Sequence, residues 1–189
     1  MQEDAMIPYL KKRLGKERFL HSERTANEAV RLAAVYGADK RKAYLAGMLH
    51  DIGKGMSAGE LVKTASENGI SIDKYEKDNP ELLHGKVSAH LAKTDLGITD
   101  GEILAAIESH TTGRKNMTLL EKIVYIADLI EPGRNFEGLR EIRELAYKDI
   151  DAAARLALSH VMLYVKEKGL TLHPNSAEAY EYLKPEDSV

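Results

Sequence analysis

The chain has 189 residues, 43% of them hydrophobic and 30% charged, with a net charge of −3 and no cysteine. That length buries one substantial core. The charge leaves no basic footprint for nucleic acid, and the missing thiols exclude disulfides and thiolate metal sites, so imidazole and carboxylate must hold any transition metal.

In chain order the pattern reads helix after helix. Residues Asp4 to Leu14 form an amphipathic segment that Pro8 interrupts, and Gly15 separates it from a longer helix near Lys16 to Tyr36. In that helix Leu20, Ala26, Ala29, Val30, Ala33 and Ala34 recur at helical spacing around His21, and Gly37 is its carboxyl cap. Asp39 caps a third helix, which runs through Leu45, Ala46, Met48 and Leu49 to His50 and Asp51 at its end. Gly53 and Gly55 are expected to release the backbone there through positive φ, with Lys54 between them placing a cation beside the two ligand-capable groups. Ser57 with Glu60 opens a capping box for a short helix ending near Gly69.

Asn79, Pro80 and Glu81 start the helix that carries His84. Thr99 with Glu102 predicts another capping box, and its helix passes Ile103, Leu104 and Ile107 to reach His110. The loop from Thr111 to Met117 brings hydroxyls, a glycine, Arg114 and Lys115, groups suited to a phosphate. Thr118 with Glu121 then opens a helix that is apolar on nearly every face and therefore buried, with Asp128 inside it, and Pro132 and Gly133 stop it. Two further helices are predicted from Glu137 to Tyr147 and from Ile150 to Lys168, and residues after Tyr182 are expected to be loose. No strand-period alternation, hairpin signal, repeat or Pro/Gly/Ser-rich linker occurs. The expected fold is all-α, a single domain with a core over about 16–168 and a tail over about 169–183.

His21, His50, Asp51, His84, His110 and Asp128 therefore come from several helices, and a helical bundle can converge such side chains on its interior. Asp128 is the most informative, because an ionised carboxylate on an apolar helix needs a cation, a hydrogen-bond network or a water-filled cavity. Arg24 or Arg134 could supply that cation instead of a metal. His90 and His160 have no acidic neighbour or glycine turn and are read as structural. Arg18, Lys54, Lys115 and Arg134 are ordinary solvated charges unless their positions say otherwise. Arg18 lies three residues before His21, on the same helical face.

The segments LAGMLHDIGKG, LLHGKVSA, IESHTTGRKNMTLLEKIVYIADLIEPGR and LHPNSAEAYEYL resemble the HD superfamily of metal-dependent phosphohydrolases. Within it the chain is similar to the YqeK family of symmetrical diadenosine tetraphosphate hydrolases. The resemblance implies a hydrolase that cuts the central phosphoanhydride of diadenosine tetraphosphate to give two ADP. It implies a divalent metal, iron before manganese or cobalt, on His21, His50, Asp51 and Asp128, with His84 and His110 holding a second ion or touching phosphate. Asp51, Lys54 and His110 become the catalytic candidates. Arg18, Lys54, His84, His110, Thr111, Arg134, Leu170, Thr171, His173, Asn175 and Ser176 become nucleotide-binding candidates, the last five in a tail that closes over the nucleotide. Another HD-type nucleotidase, or a non-catalytic metal and nucleotide-binding module, stands beside that reading. A small-molecule partner is expected, without nucleic acid or membrane, and a homodimer is allowed by the surplus apolar residues Met162, Leu163 and Val165. No stretch approaches the roughly 20 apolar residues of a membrane span and no signal segment opens the sequence, so a cytoplasmic location is expected.

Overall fold

Caps and glycines divide the chain into helices whose apolar faces can be buried only against one another. The computed structural model describes residues 3–185, which contain eleven α-helices, one 3-10 helix and no strand. The helices are α1 (Glu3–Arg13), α2 (Lys16–Tyr36), α3 (Lys40–Leu49), α4 (Ala58–Glu67), α5 (Lys74–Asp78), α6 (His84–Thr94), α7 (Gly101–Ser109), α8 (Leu119–Ile130), α9 (Leu139–Ala146), α10 (Ile150–Glu167) and α11 (Pro174–Tyr182). The 3-10 turn Pro80–Leu83 leads directly into α6.

Helix α8 lies at the centre, packed on α2, α3, α7 and α10. Its Ile123 and Ile126 are fully buried, as are Leu32 of α2, Met48 of α3 and Ile107 of α7. Each such side chain contributes about 1.5–3 kcal/mol relative to exposure. The capping boxes Ser57/Glu60 and Thr118/Glu121 form as read, Asp39 caps α3, and Gly37 closes α2 in the left-handed region.

Several local expectations are corrected. Pro8 lies inside a continuous α1, because a proline so near the amino end forfeits only one hydrogen bond, to the first turn. Helix α7 is capped by Asp100, whose carboxylate accepts from the Glu102 and Ile103 amides, and not by Thr99. The Asn79 side chain makes no cap bond. Its segment follows α5, a five-residue helix with its own Asp73/Glu76 capping box. The residues just after Tyr182 are not loose, since α11 in the tail is followed by main-chain bonds through Lys184. Residues 186–189 of the expected loose end lie outside the described residues.

Glycine works at this fold's centre through missing bulk, and the expected positive φ at Gly53 and Gly55 does not occur. A β-carbon at Gly47 would come within 2.6 Å of the Ala26 Cα, so α3 crosses α2 almost backbone to backbone. A β-carbon at Gly85 would come within 2.6 Å of the Glu108 carbonyl oxygen, so α6 presses equally closely on the end of α7. The first crossing draws His50 toward His21, and the second draws His84 toward His110.

Candidate metal centre

Each histidine is oriented from behind. His50 Nδ1 donates to the Gly47 carbonyl at 2.7 Å, His84 Nδ1 to the Glu81 carbonyl at 2.5 Å, and His110 Nδ1 to the Ile107 carbonyl at 2.7 Å. Carbonyl oxygens only accept, so these nitrogens carry protons and the Nε2 atoms present lone pairs inward. His21 is steered by a carboxylate, with Nδ1 3.1 Å from Glu131 Oε1, and Glu131 is ion-paired with Arg24 at 2.9 Å.

The inward nitrogens fall into two nests that share Asp51. In the first, His21 Nε2 and His50 Nε2 face each other at 3.2 Å, with Asp128 Oδ1 3.0 Å from His21 and Asp51 Oδ2 3.5 Å from His50. In the second, His84 Nε2 and His110 Nε2 face each other at 3.0 Å, and Asp51 Oδ1 lies 3.4 Å and 3.6 Å from them. Facing lone pairs and carboxylates repel unless a cation, proton or metal, sits between them. Burial pushes His50 down to about 4 and His84 down to about 3, which disfavours the proton there. Burial also works against charge on Asp128, but His21, His50 and Arg134 outweigh it and hold that carboxyl well below the usual range. Burial works against charge on His110 too, but Asp51 outweighs it there and raises the pKa. Buried imidazoles and carboxylates without thiolate are the donor set a divalent transition metal takes.

Cations close the other side. Arg18 Nη1 lies 2.8 Å from Asp51 Oδ2, and Arg134 Nη2 lies 2.5 Å from Asp128 Oδ1. Asp128 therefore takes Arg134, while Arg24 goes to Glu131. Lys54 is held only loosely, 3.6 Å from the exposed Glu81. Arg18, Lys54 and Arg134 line a cavity of about 230 Å³ over Asp51, His84, His110 and Asp128. Thr111 joins them, its hydroxyl 3.1 Å from His84 Nε2.

A family model described as the HD domain matches residues 18–133, which span both nests. The chain belongs to the HD domain family. As an HD domain it is a divalent-metal protein, and the histidine and aspartate cluster fits that ion. The chain is 34% identical to the symmetrical bis(5'-nucleosyl)-tetraphosphatase of Bacillus subtilis over 183 residues, covering 97% of this chain and 98% of that one. It is 35% identical to the protein of the same name from Staphylococcus aureus, over 94% and 92% of the two chains. A crystal structure from Clostridium acetobutylicum, described as a "predicted HD superfamily hydrolase involved in NAD metabolism", superposes with a TM-score of 0.94 at 42% identity, covering 97% of each chain.

Other candidates of this HD domain fall less neatly. His173 Nδ1 accepts from the Asn175 amide at the start of α11, so its Nε2 donates to Asp73 Oδ2 at 2.9 Å. Ser176 Oγ donates to the Thr112 carbonyl, tying α11 to the loop after His110. His173 and Asn175 line a separate polar cavity of about 340 Å³ that shares Thr111 with the metal cavity, but Leu170 and Thr171 line neither. In the loop after His110, Arg114 grips the buried Glu121 through Nε and Nη2, which leaves Lys115 as its exposed cation.

Two participants carry no sequence signal. Glu131 sits before Pro132, where a helix end explains it, and only the fold turns it onto His21. Tyr125 reads as one more apolar position of α8, yet it is 2% exposed, lines the metal cavity, and its hydroxyl has no hydrogen-bond partner. Burial and Asp128 push its pKa up, so it remains a proton donor. No described helix is long and apolar enough to cross a membrane.

Proposed function

We propose that the chain is a symmetrical bis(5'-nucleosyl)-tetraphosphatase, hydrolysing diadenosine tetraphosphate to two molecules of ADP. The observation that carries this reading is Asp51 dividing its two oxygens between two histidine nests on the floor of a cavity rimmed by Arg18, Lys54 and Arg134. The tetraphosphatases of Bacillus subtilis and Staphylococcus aureus, alike over nearly the whole chain, support the substrate.

His21, His50, Asp128 and Asp51 would hold one ion, and His84 and His110 with Asp51 would hold a second. We assign iron, the ion the family resemblance implies and one that nitrogen and oxygen ligands without thiolate accept, with manganese and cobalt as the alternatives a metal analysis would reveal. When bound, a divalent metal acidifies water and polarises the phosphoryl oxygen under attack. The protein's own contribution is position and charge. Arg18 and Arg134 neutralise the transferred phosphoryl group and Lys54 the leaving ADP, as phosphoryl transfer demands. Tyr125 offers its uncommitted hydroxyl to a phosphate oxygen from the cavity wall. Asp51 or His110 would position the water through the ion it holds, and the polar cavity beside Thr111, with His173 and Asn175, receives one nucleoside under α11.

The test is the product spectrum of metal-loaded protein on diadenosine tetraphosphate, beside Asp51→Asn. ADP as sole product, lost by about 10³-fold in the variant, is the expected result, since metal activation is worth several kcal/mol. AMP with ATP would overturn the symmetrical cleavage, and an untouched substrate would overturn the whole assignment in favour of another nucleotidase or a binding module.

A further inference from the structure

A dinucleoside tetraphosphate carries two nucleosides, and the polar cavity beside Thr111 accounts for one. The metal cavity, at about 230 Å³, falls below the roughly 300–1,000 Å³ of sites that enclose a small organic ligand. Two of its lining residues, Leu129 and Val161, also line a third and larger space of about 710 Å³ between the α8–α9 connection, α9 and α10. The metal cavity thus borders two further spaces, the α11 cavity at Thr111 and this groove at Leu129 and Val161.

The groove has the chemistry of a base site rather than a phosphate site. Phe136, Leu163 and Tyr164 are exposed along it, at 37%, 57% and 57%. The His160 ring, 6.3 Å from that of Phe136, is seated on the bare backbone of Gly138, where a β-carbon would come within 2.2 Å of it. The charged residues among those described lining the groove are acidic, Glu137, Glu141 and Glu167, while the Lys168 ammonium lies 5.7 Å from the centre of the Tyr164 ring. Arg18, Lys54 and Arg134 all lie at the metal end. A polyphosphate entering from the metal centre meets cations first and carboxylates last. Aromatic rings stack on a base, and carboxylates accept hydrogen bonds from its exocyclic amine or from ribose hydroxyls while repelling further phosphate.

We propose that this groove binds the second nucleoside of the substrate, with Phe136, His160 and Tyr164 as the stacking surface, so that the two halves of a symmetrical molecule are held by unlike sites. The inference rests on the tetraphosphatase reading above. It makes the enzyme prefer dinucleoside tetraphosphates to a tetraphosphate bearing one nucleoside.

The experiment compares kcat/KM for diadenosine tetraphosphate with that for adenosine 5'-tetraphosphate, in the wild type and in Tyr164→Ala and Phe136→Ala. Tyr164 is largely solvent-facing, so its truncation leaves the core packed. The expected result is a wild-type preference for the dinucleoside that falls roughly tenfold in each variant, mainly through KM, as loss of a stacked base predicts. A preference unchanged in both variants overturns the groove, as does equal loss on both substrates. If either variant instead splits an oligomer in sedimentation while the preference holds, the face belongs to a second copy and the proposal falls. Failure of the wild type to make ADP from diadenosine tetraphosphate would sink the tetraphosphatase reading itself, an outcome distinct from ADP production with an indifferent groove.

Discussion

On one side of Asp51, His21 and His50 meet a second carboxylate, Asp128, and His21 is steered by a third, Glu131. On the other side, His84 and His110 meet only the Thr111 hydroxyl and lean on main-chain carbonyls. Negative charge is the cheapest way to bind a dication, so the first nest should hold its ion tightly and the second should exchange it more readily. By this difference one shared carboxylate would serve a tightly held ion and a weaker one. It also sets His21, positioned by a side chain that can be tuned, apart from His50, His84 and His110, positioned by backbone carbonyls that cannot titrate.

The largest effect expected from breaking this arrangement is at His110. His110→Ala should lower turnover by about 100-fold or more and remove one of two bound ions while the other stays, as elemental analysis of dialysed protein would reveal. Loss of both ions together would mean that the nests are not independent. Glu131→Gln sharpens the comparison, because it weakens the orienting bond to His21 without touching a ligand. Metal affinity should drop about 10- to 100-fold in the first nest only, measured by competition with a chelator, and equal weakening at both sites would erase the distinction.

The smallest effect concerns the support of the second nest. Glu121, fully buried, accepts from Ser109 Oγ at 3.0 Å beside His110 and from the Thr118 amide at 2.7 Å, and Arg114 neutralises it. Burial works against its charge, but Arg114 and the Thr118 cap outweigh it and hold its pKa below the usual range. A carboxyl lowered on folding contributes stability that is present above its unfolded pKa and lost as pH falls through its folded one. Arg114→Ala should therefore cost about 1–3 kcal/mol at pH 7, with the gap to wild type closing in acid, as urea unfolding at the two pH values would show. A constant gap would mean that Arg114 acts by packing alone.

The helical frame was legible because capping is local. Asp39, Ser57 with Glu60 and Thr118 with Glu121 each bond backbone amides within three residues. Where two cap-capable residues adjoin, as at Thr99 and Asp100, local pattern cannot choose between them, and helices as short as α5 have too few residues to show a period. The ligand-type residues were legible as a set, from their order along the chain and a family resemblance. Their division into two nests was not, because it depends on helix crossings between residues far apart, Gly47 on Ala26 and Gly85 on Glu108. Arg134 rather than Arg24 as the partner of Asp128, and the uncommitted hydroxyl of Tyr125, depend on the same long-range packing.

Those two crossings bear on how the centre fills. A contact between main chains has no rotamers to lose, so the histidines are held apart by fixed distances before any ion arrives. Metal capture then spends little of its free energy on ordering the chain. The two glycines, which ligate nothing, thereby set the spacing of the histidines that an ion would meet.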